Sequence, residues 1–590
     1  MQERKIAGFC AASVLLVAIA CSSSGGGGFG DEVNGKGDGG SGVGLGSGDG
    51  GQTSGQVHCS SDLHSILNDS NQVIATCPGN EGCAEGKCVP ACDAAAANKS
   101  SIGCDYLAIP PPFFSGSTAC FAAFVANTWG TDVTLTVEQG GQPLNVDSFS
   151  YLPQGSGSTM SYSHLSNGVV PAGKVAMVFL SNESAAPCSG NVTAAKGVSA
   201  LSGSGLGKAF RIKSNAPVVA YDIFPYGGGA TAVTSATLLI PTTAFGDNYI
   251  GTTAYPANTG TPWLAFAARE DDTQVTISPT NAITAAVGVA GTAKGVPVTY
   301  KLNAGDYIKI QQPADLVGSP IQANKPIGSW AGNTCAQVPT GKVACDGLHQ
   351  QIPPIRSFGS SYVGVHYRDR YDGNLESPPY RIIGAVDGTT LTFTPPVPGA
   401  PATIGSGQVV EFRAQNAFVV TSQDDKHPFY LASYMSGCAD AIANLNPNDC
   451  RGDPEFVNVI PSTQYLASYT FFTDPTYPET NLVFVRGKGK NGSFSDVSLD
   501  CKGVLSDWTP ITGTDFEWTR VDLVRGNFQK QGNCDNGVHE AKSDAPFGLT
   551  VWGWGSAAST TFSSNAVSYG YPAGASVVPI NTVVVPAGPK

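Results

Sequence analysis

The sequence predicts an all-β protein: about four repeated antiparallel β-modules of roughly 110 residues, set in a closed, propeller-like ring or as tandem sandwiches, behind a small disulfide-rich segment. Three observations point there. Short stretches alternate apolar and hydroxyl side chains with period two, the pattern of a strand with one buried face. Long amphipathic helical patterns are nearly absent, while turn formers are abundant, with 73 Gly and 40 Pro in 590 residues. Several sequence elements also recur in a fixed order along the chain.

Taken from the start, residues 1–20 have the layout of a secretory signal peptide. Arg4 and Lys5 precede an apolar run from Ala11 to Ala20 that ends in small residues. The run is shorter than the ~20 residues a spanning helix needs. Ala18 to Cys21 resembles a bacterial lipobox, in which the cysteine is acylated after cleavage, so Cys21 is the expected lipid anchor. An ordinary signal peptide cut nearby is the alternative. Residues 21–56 continue as a spacer of mostly Gly, Ser and Asp, which cannot bury enough apolar surface to offset its chain entropy. The expected molecule is a β-rich head tethered at the cell envelope, its lipid in an outer membrane or exposed at the cell surface.

Cysteine usage suits an oxidising compartment. Of 16 cysteines, Cys10 leaves with the signal and Cys21 takes lipid, and an even number remains. Cys59, Cys77, Cys83, Cys88, Cys92 and Cys104 crowd into residues 57–104, with their pairing left open. Farther on, neighbours suggest Cys120 with Cys188, Cys335 with Cys345, Cys438 with Cys450, and Cys501 with Cys534, although spacing alone does not fix connectivity.

Residues 105–575 carry the repeat. One element is a proline expected to open an aromatic, glycine-terminated strand: Pro217 to Gly227, Pro326 to Gly332, Pro428 to Gly437 and Pro546 to Gly555. A second is Ile-Pro followed by an aromatic and a tyrosine. It reads Ile240 and Pro241 with Phe245 and Tyr249, Ile352 and Pro353 with Phe358 and Tyr362, and Ile460 and Pro461 with Tyr465 and Tyr469; Ile109 and Pro110 look like a fourth copy. The third is the strict alternation at 133–137, 273–277, 389–393 and 495–499. The fourth is a small residue plus glycine opening a strand, at Ala172 and Gly173, Ala304 and Gly305, and Ser406 and Gly407. In the segment 576–590, Val578 to Asn581 is reminiscent of the Ile-Pro element, as though a last strand completes the first module.

The stretches from Asn215 to Tyr221, from Leu239 to Tyr249, and from Asn324 through Cys335, Cys345 and Pro353 to Tyr362 resemble the IgG Fc-binding protein N-terminal domain family, in its bacterial, myxobacterial-like lipoprotein form. The resemblance covers roughly residues 103 to 575. It implies an extracellular adhesive or ligand-binding domain, and the segment Cys77 to Cys104 looks like one that precedes this domain in bacterial relatives. No residue motif for an immunoglobulin contact can be carried over.

Chemistry-bearing patterns are sparse. The seven histidines (58, 64, 164, 349, 366, 427 and 539) contain no pair at metal-ligand spacing, and His349 reads as a loop residue. No Gly-x-Ser-x-Gly stands between a strand and a helix. The carboxylates Glu270 to Asp272, Asp369 to Asp372, and Asp424 with Asp425 fit solvated turns, while a hydrolase would need such groups from distant modules, for example Asp271 and Asp372, to converge. Arg451, Gly452 and Asp453 form a common tripeptide of integrin ligands. Net charge is −13 without a basic cluster, which argues against a nucleic-acid partner. The expectation is a non-catalytic surface protein, without metal or cofactor, that binds an extracellular protein or glycan through loops carrying residues such as Trp552 and Trp554. A secreted hydrolase or a purely structural envelope protein are the alternatives.

Overall fold

In a computed structural model of the chain, the described residues are 57–114, 118–228, 232–556 and 565–588. The expected signal peptide, Cys21 and the spacer lie outside them. Among the described residues the protein is almost wholly antiparallel β, with a single eight-residue helix, Ala91–Asn98, and one short helical turn, Cys438–Ala441. No helix among them is long and apolar enough to cross a membrane.

Three of the four modules are organised by a long strand whose two arms pair with different neighbours. In the first module this is Phe210–Phe224. Its first arm pairs with Val133–Gln139 and its second with Cys120–Asn127, and the register shifts between Lys213 and Val218. Pro320–Ala336 and Gly537–Trp554 repeat this in the second and fourth modules. The repeated prolines therefore do not open strands here. Pro217, Pro326 and Pro546 sit at the register break, where a strand must bend and one ladder N–H is dispensable. In the third module the chain breaks outright at Pro428, leaving Phe418–Ser422 and Phe429–Met435 in separate sheets. The result is a series of curled sheets, each folded over its own apolar side.

The alternating segments behave as their period demands. Val133, Leu135 and Val137 are buried, as are Val275, Ile277 and Leu391, and the hydroxyl residues between them face outward or are half-buried. Gly173, Gly305 and Gly407 have φ of 68°, 78° and 69°, so the fourth repeated element is a left-handed turn residue.

Four short strands, one per module, follow the long strands: Ser235–Leu238, Asp346–Ile352, Glu455–Asn458 and Ser568–Pro572. The first contacts the second, the second the third, the third the fourth, and the fourth the first. They form a closed cycle, which settles the arrangement as a ring about these axial strands rather than a string of sandwiches.

The Ile-Pro element explains how neighbours join. Pro241, Pro354 and Pro461 each precede a 3-10 turn that ends on an aromatic residue, and four residues after that aromatic comes the tyrosine, Tyr249, Tyr362 or Tyr469. The tyrosine hydroxyl accepts from the backbone N–H three residues earlier, at 3.0 Å from Gly246 and 2.9 Å from Gly359. It then donates to the long strand or its equivalent, at Ile327 O (2.6 Å), Phe429 O or Phe547 O. Tyr106 holds Val218 O in the same way (2.6 Å) in the first module. The turn's place there is taken by the end of the helix, so Ile109 and Pro110 are not the fourth copy; they lie beyond Tyr106 in the chain.

Glycine stands three residues before Tyr106, Tyr249 and Tyr362 because the next module leaves no room for a side chain. A Cβ on Gly103 would lie 2.4 Å from Pro241 Cβ, one on Gly246 2.4 Å from Pro354 Cβ, and one on Gly359 2.4 Å from Pro461 Cβ. Gly359→Ala should therefore force two modules apart and destabilise the ring by about 2 kcal/mol. Urea unfolding would register this as a lower midpoint with an unchanged slope.

The last described residues run as a belt over these turns. Ser100 and Ser576 form a β-bridge, and Val577 N–H donates to Lys99 O. Ser576 N–H donates to Gln464 O, Ile580 N–H to Arg356 O, and the Asn581 amide to Ile355 O and Phe358 O. Asn248 and Val585 exchange two hydrogen bonds of 2.7 and 2.8 Å. The belt thus visits the first, fourth, third and second modules in turn.

Seven disulfides tie the chain locally. Cys59–Cys83, Cys77–Cys88 and Cys92–Cys104 hold the small N-terminal segment together. Cys120–Cys188, Cys335–Cys345, Cys438–Cys450 and Cys501–Cys534 staple one loop in each module.

Candidate functional site

The rule that joins neighbouring modules breaks where the ring closes. In the fourth module the glycine position is occupied by Leu466, which packs close to Gly574 rather than against a proline of the neighbouring module. Its side chain instead lines a cleft of about 790 Å³ between the fourth and first modules. Three parts of the chain build this cleft. The first module supplies Ile102, Asn127 to Gly130 and Val219; the fourth supplies Ser468 to Thr470, Phe472 and Asn536 to Glu540; the disulfide-rich segment adds Asp62 and His64.

That segment is held over the seam from both sides. The His64 ring lies against Trp129, with centroids 4.1 Å apart, and Trp129 Nε1 donates to Gly79 O (2.7 Å). On the other side Asn71 donates to Asp544 O (3.0 Å) in the fourth module. A Cβ on Gly82 would come within 2.8 Å of Ala94 and 3.1 Å of Trp129, so this residue must be small for the segment to seat.

The lining mixes apolar side chains with exposed backbone. Gly130, Gly155 and Gly173 are exposed along it, while Gly537 exchanges hydrogen bonds with Thr473 and Gly574 is buried. Of its charged groups, Glu540 and Lys542 pair with each other at 2.7 Å. His539 Nδ1 lies 3.0 Å from Asp500 Oδ1 and its Nε2 lies 2.7 Å from Asp535 O, so both ring nitrogens face acceptors. Burial pushes the Asp500 carboxyl up, but the hydrogen bond and charge of His539 together with backbone hydrogen bonds at Cys501 and Glu540 outweigh it, leaving the group below its ordinary value. Cys501 beside it is oxidised to a disulfide and offers no thiolate to a metal, and the same holds for Cys438 and Cys450 next to Asp453.

The other residues singled out from sequence lie elsewhere. Trp552 and Trp554 do not supply contact surface: they are 1 % and 0 % exposed and pack with Tyr367. Both sit in the second arm of the long strand Gly537–Trp554, where the bend turns them inward. His349 is not a loop residue but a buried member of an axial strand, 2.6 Å from Asp222. Asp271 accepts from Ala304 N at a hairpin and Asp372 pairs with Arg525, so the two carboxylates do not share a pocket. Asp424 closes a turn onto Lys426 N and His427. Asp453 is 1 % exposed, which buries the acidic end of the Arg-Gly-Asp tripeptide.

Sequence reasoning had no route to the cleft. His64, Trp129, Thr470 and His539 belong to three separate stretches, and the available signal was a negative one, Leu466 standing where three other modules have glycine. In comparison with known proteins, the family model described as "IgGFc binding protein" matches residues 235–553. No curated protein matches the chain.

Proposed function

Since this chain belongs to the IgGFc binding protein family, its match covering more than half of the sequence, we propose that it is an extracellular ligand-binding protein whose ligand is a protein segment seated in the seam cleft. The observation that carries this reading is the cleft's lining. Apolar side chains, the exposed glycines Gly130, Gly155 and Gly173, and an imidazole held between two acceptors suit an extended polypeptide, which offers both side chains and backbone hydrogen bonds. Cys21 would hold the head at the cell envelope through lipid, with the Gly/Ser spacer giving it reach. The protein would bind rather than catalyse, since both ring nitrogens of His539 face Asp500 and the Asp535 carbonyl and, among the described residues, no hydroxyl or thiol nucleophile is paired with it. Seven disulfides accord with an oxidising environment.

Gly130 gives a direct test. A Cβ there meets nothing within 4 Å, so Gly130→Phe introduces its ring from an open position in the cleft lining. Binding of the purified protein to an array of extracellular proteins and glycans would be compared with that of the variant. A protein hit weakened more than ~10-fold with an unchanged melting temperature supports the reading. Hits retained by the variant, or hits confined to glycans, overturn it.

A further inference from the structure

All four modules meet in one hydrogen-bonded cluster at the ring axis. Thr234 of the first module donates to Ser568 O of the fourth (2.6 Å) and accepts from Ser568 N (3.0 Å). Asp346 comes from the second module, and Asp453 and Glu455 from the third; they are 1 %, 1 % and 0 % exposed. Ser568 Oγ lies 2.6 Å from the Asp453 carbonyl oxygen and 3.2 Å from Asp346 Oδ2.

A serine hydroxyl has one proton to give. The shorter contact, to a carbonyl that can only accept, takes it. The 3.2 Å contact is then a hydrogen bond only if Asp346 carries a proton and donates it to Ser568 Oγ. From this geometry we infer that Asp346 is a protonated carboxylic acid at neutral pH and that its proton is a closing link of the ring, lost in alkaline medium.

The surroundings agree. Burial raises the Glu455 carboxyl well above its ordinary value, and the hydrogen bonds it accepts from Ser235 Oγ (2.9 Å), Phe456 N (2.9 Å) and Ala236 N (3.3 Å) only partly offset this. Asp453 accepts from Ala344 N and Cys438 N. The other ionisable groups around the axis are Tyr477, Asp474, the His349 and Asp222 pair, and Arg370. Arg370 is committed to Glu376 at 2.8 Å and His349 to Asp222 at 2.6 Å. Burial raises the Asp346 carboxyl well above its ordinary value, and the Asp453 and Glu455 carboxyls raise it further. Asp453 is itself pushed up to about 7, chiefly by burial.

The sign follows from linkage. A carboxyl that holds its proton more tightly when folded contributes stability that is complete below the unfolded value. That contribution is lost as pH rises through the folded one. The ring is therefore tightest in acidic medium and loosens from about pH 4 upward, through neutrality and beyond. Ser568 lies on the strand that leads into Ala573 and Gly574 of the seam cleft, so loosening at the axis bears on that seam.

Asp346→Asn tests this, because its amide can donate to Ser568 Oγ as the protonated acid does. Melting temperature would be followed from about pH 5 to about pH 9 in the whole protein with and without calcium. The inference expects the variant to melt several degrees higher than the unaltered protein at the alkaline end, with a flatter pH profile. A variant that melts lower there with an unchanged profile overturns it. So does a calcium-dependent rise in melting temperature that the variant abolishes, since the carboxyls would then hold a cation. Should the variant not fold, proton release on unfolding the unaltered protein at about pH 8 decides the matter. Release supports the inference and its absence defeats it.

Discussion

Cutting the chain after Pro572 is expected to lower the melting temperature by on the order of 10 °C. The deleted belt removes the bonds to Lys99, Gln464, Arg356, Ile355, Phe358 and Asn248, which span all four modules. Several partners are then left buried and unmatched, and each such group costs about 1–3 kcal/mol. Loss of Val577 and Val585 from apolar contacts, at 2 % and 7 % exposure, adds about 1.5–3 kcal/mol each. The total exceeds any single substitution considered above. Calorimetry of the truncated and full chains is the check. An unchanged melting temperature would mean that the axial strands and the glycine–proline contacts close the ring unaided.

Glu376→Ala is the second large effect. Arg370 is 1 % exposed, and Glu376, itself 3 % exposed, takes three of its hydrogen bonds, two to the Nε and one of 2.8 Å to Nη2. The Coulombic attraction and hydrogen bonds from Arg370 hold the Glu376 carboxyl below its ordinary value in spite of burial. Removing the carboxylate strands a guanidinium whose remaining acceptors are chiefly the Arg451 and Gly452 carbonyls. Breaking such a pair costs about 3–5 kcal/mol. Denaturant unfolding should report a loss of that order. Replacing both residues by apolar ones should cost far less, because the cost lies in the orphaned charge rather than in the bond.

The repeat was legible in the sequence because each of its elements answers a local demand. Period-two alternation is dictated by a sheet with one buried face, and Gly173, Gly305 and Gly407 by a positive φ. Other features were legible as pattern but not as mechanism. The proline before each long apolar segment reads as a strand start. Whether the chain continues through it depends on the sheet waiting on the far side, which no local window contains. Ile109 and Pro110 misled because the dipeptide matched while the tyrosine that gives the motif its purpose, Tyr106, precedes it.

The features that position the candidate site were the least accessible. Trp552 and Trp554 look like loop aromatics because glycines flank them, yet strand bending drives both into the core. The Asp346 cluster draws its members from residues 234, 346, 453 and 568, and none of these has a neighbour in sequence that hints at burial. A ring brings together what its chain keeps farthest apart, so its centre and its seam are the two places where sequence windows inform least.

The belt also sets a timetable. Its contacts are made by residues that follow all four modules in the chain, whereas the Cys335–Cys345 and Cys438–Cys450 loops span only 10 and 12 residues and can be oxidised as soon as they emerge. The modules can therefore mature one by one during synthesis, but the head reaches its full stability only once the belt residues arrive. A chain released early would carry finished modules with an unsealed underside, a species that cellular quality control could recognise by that uncovered row of turns.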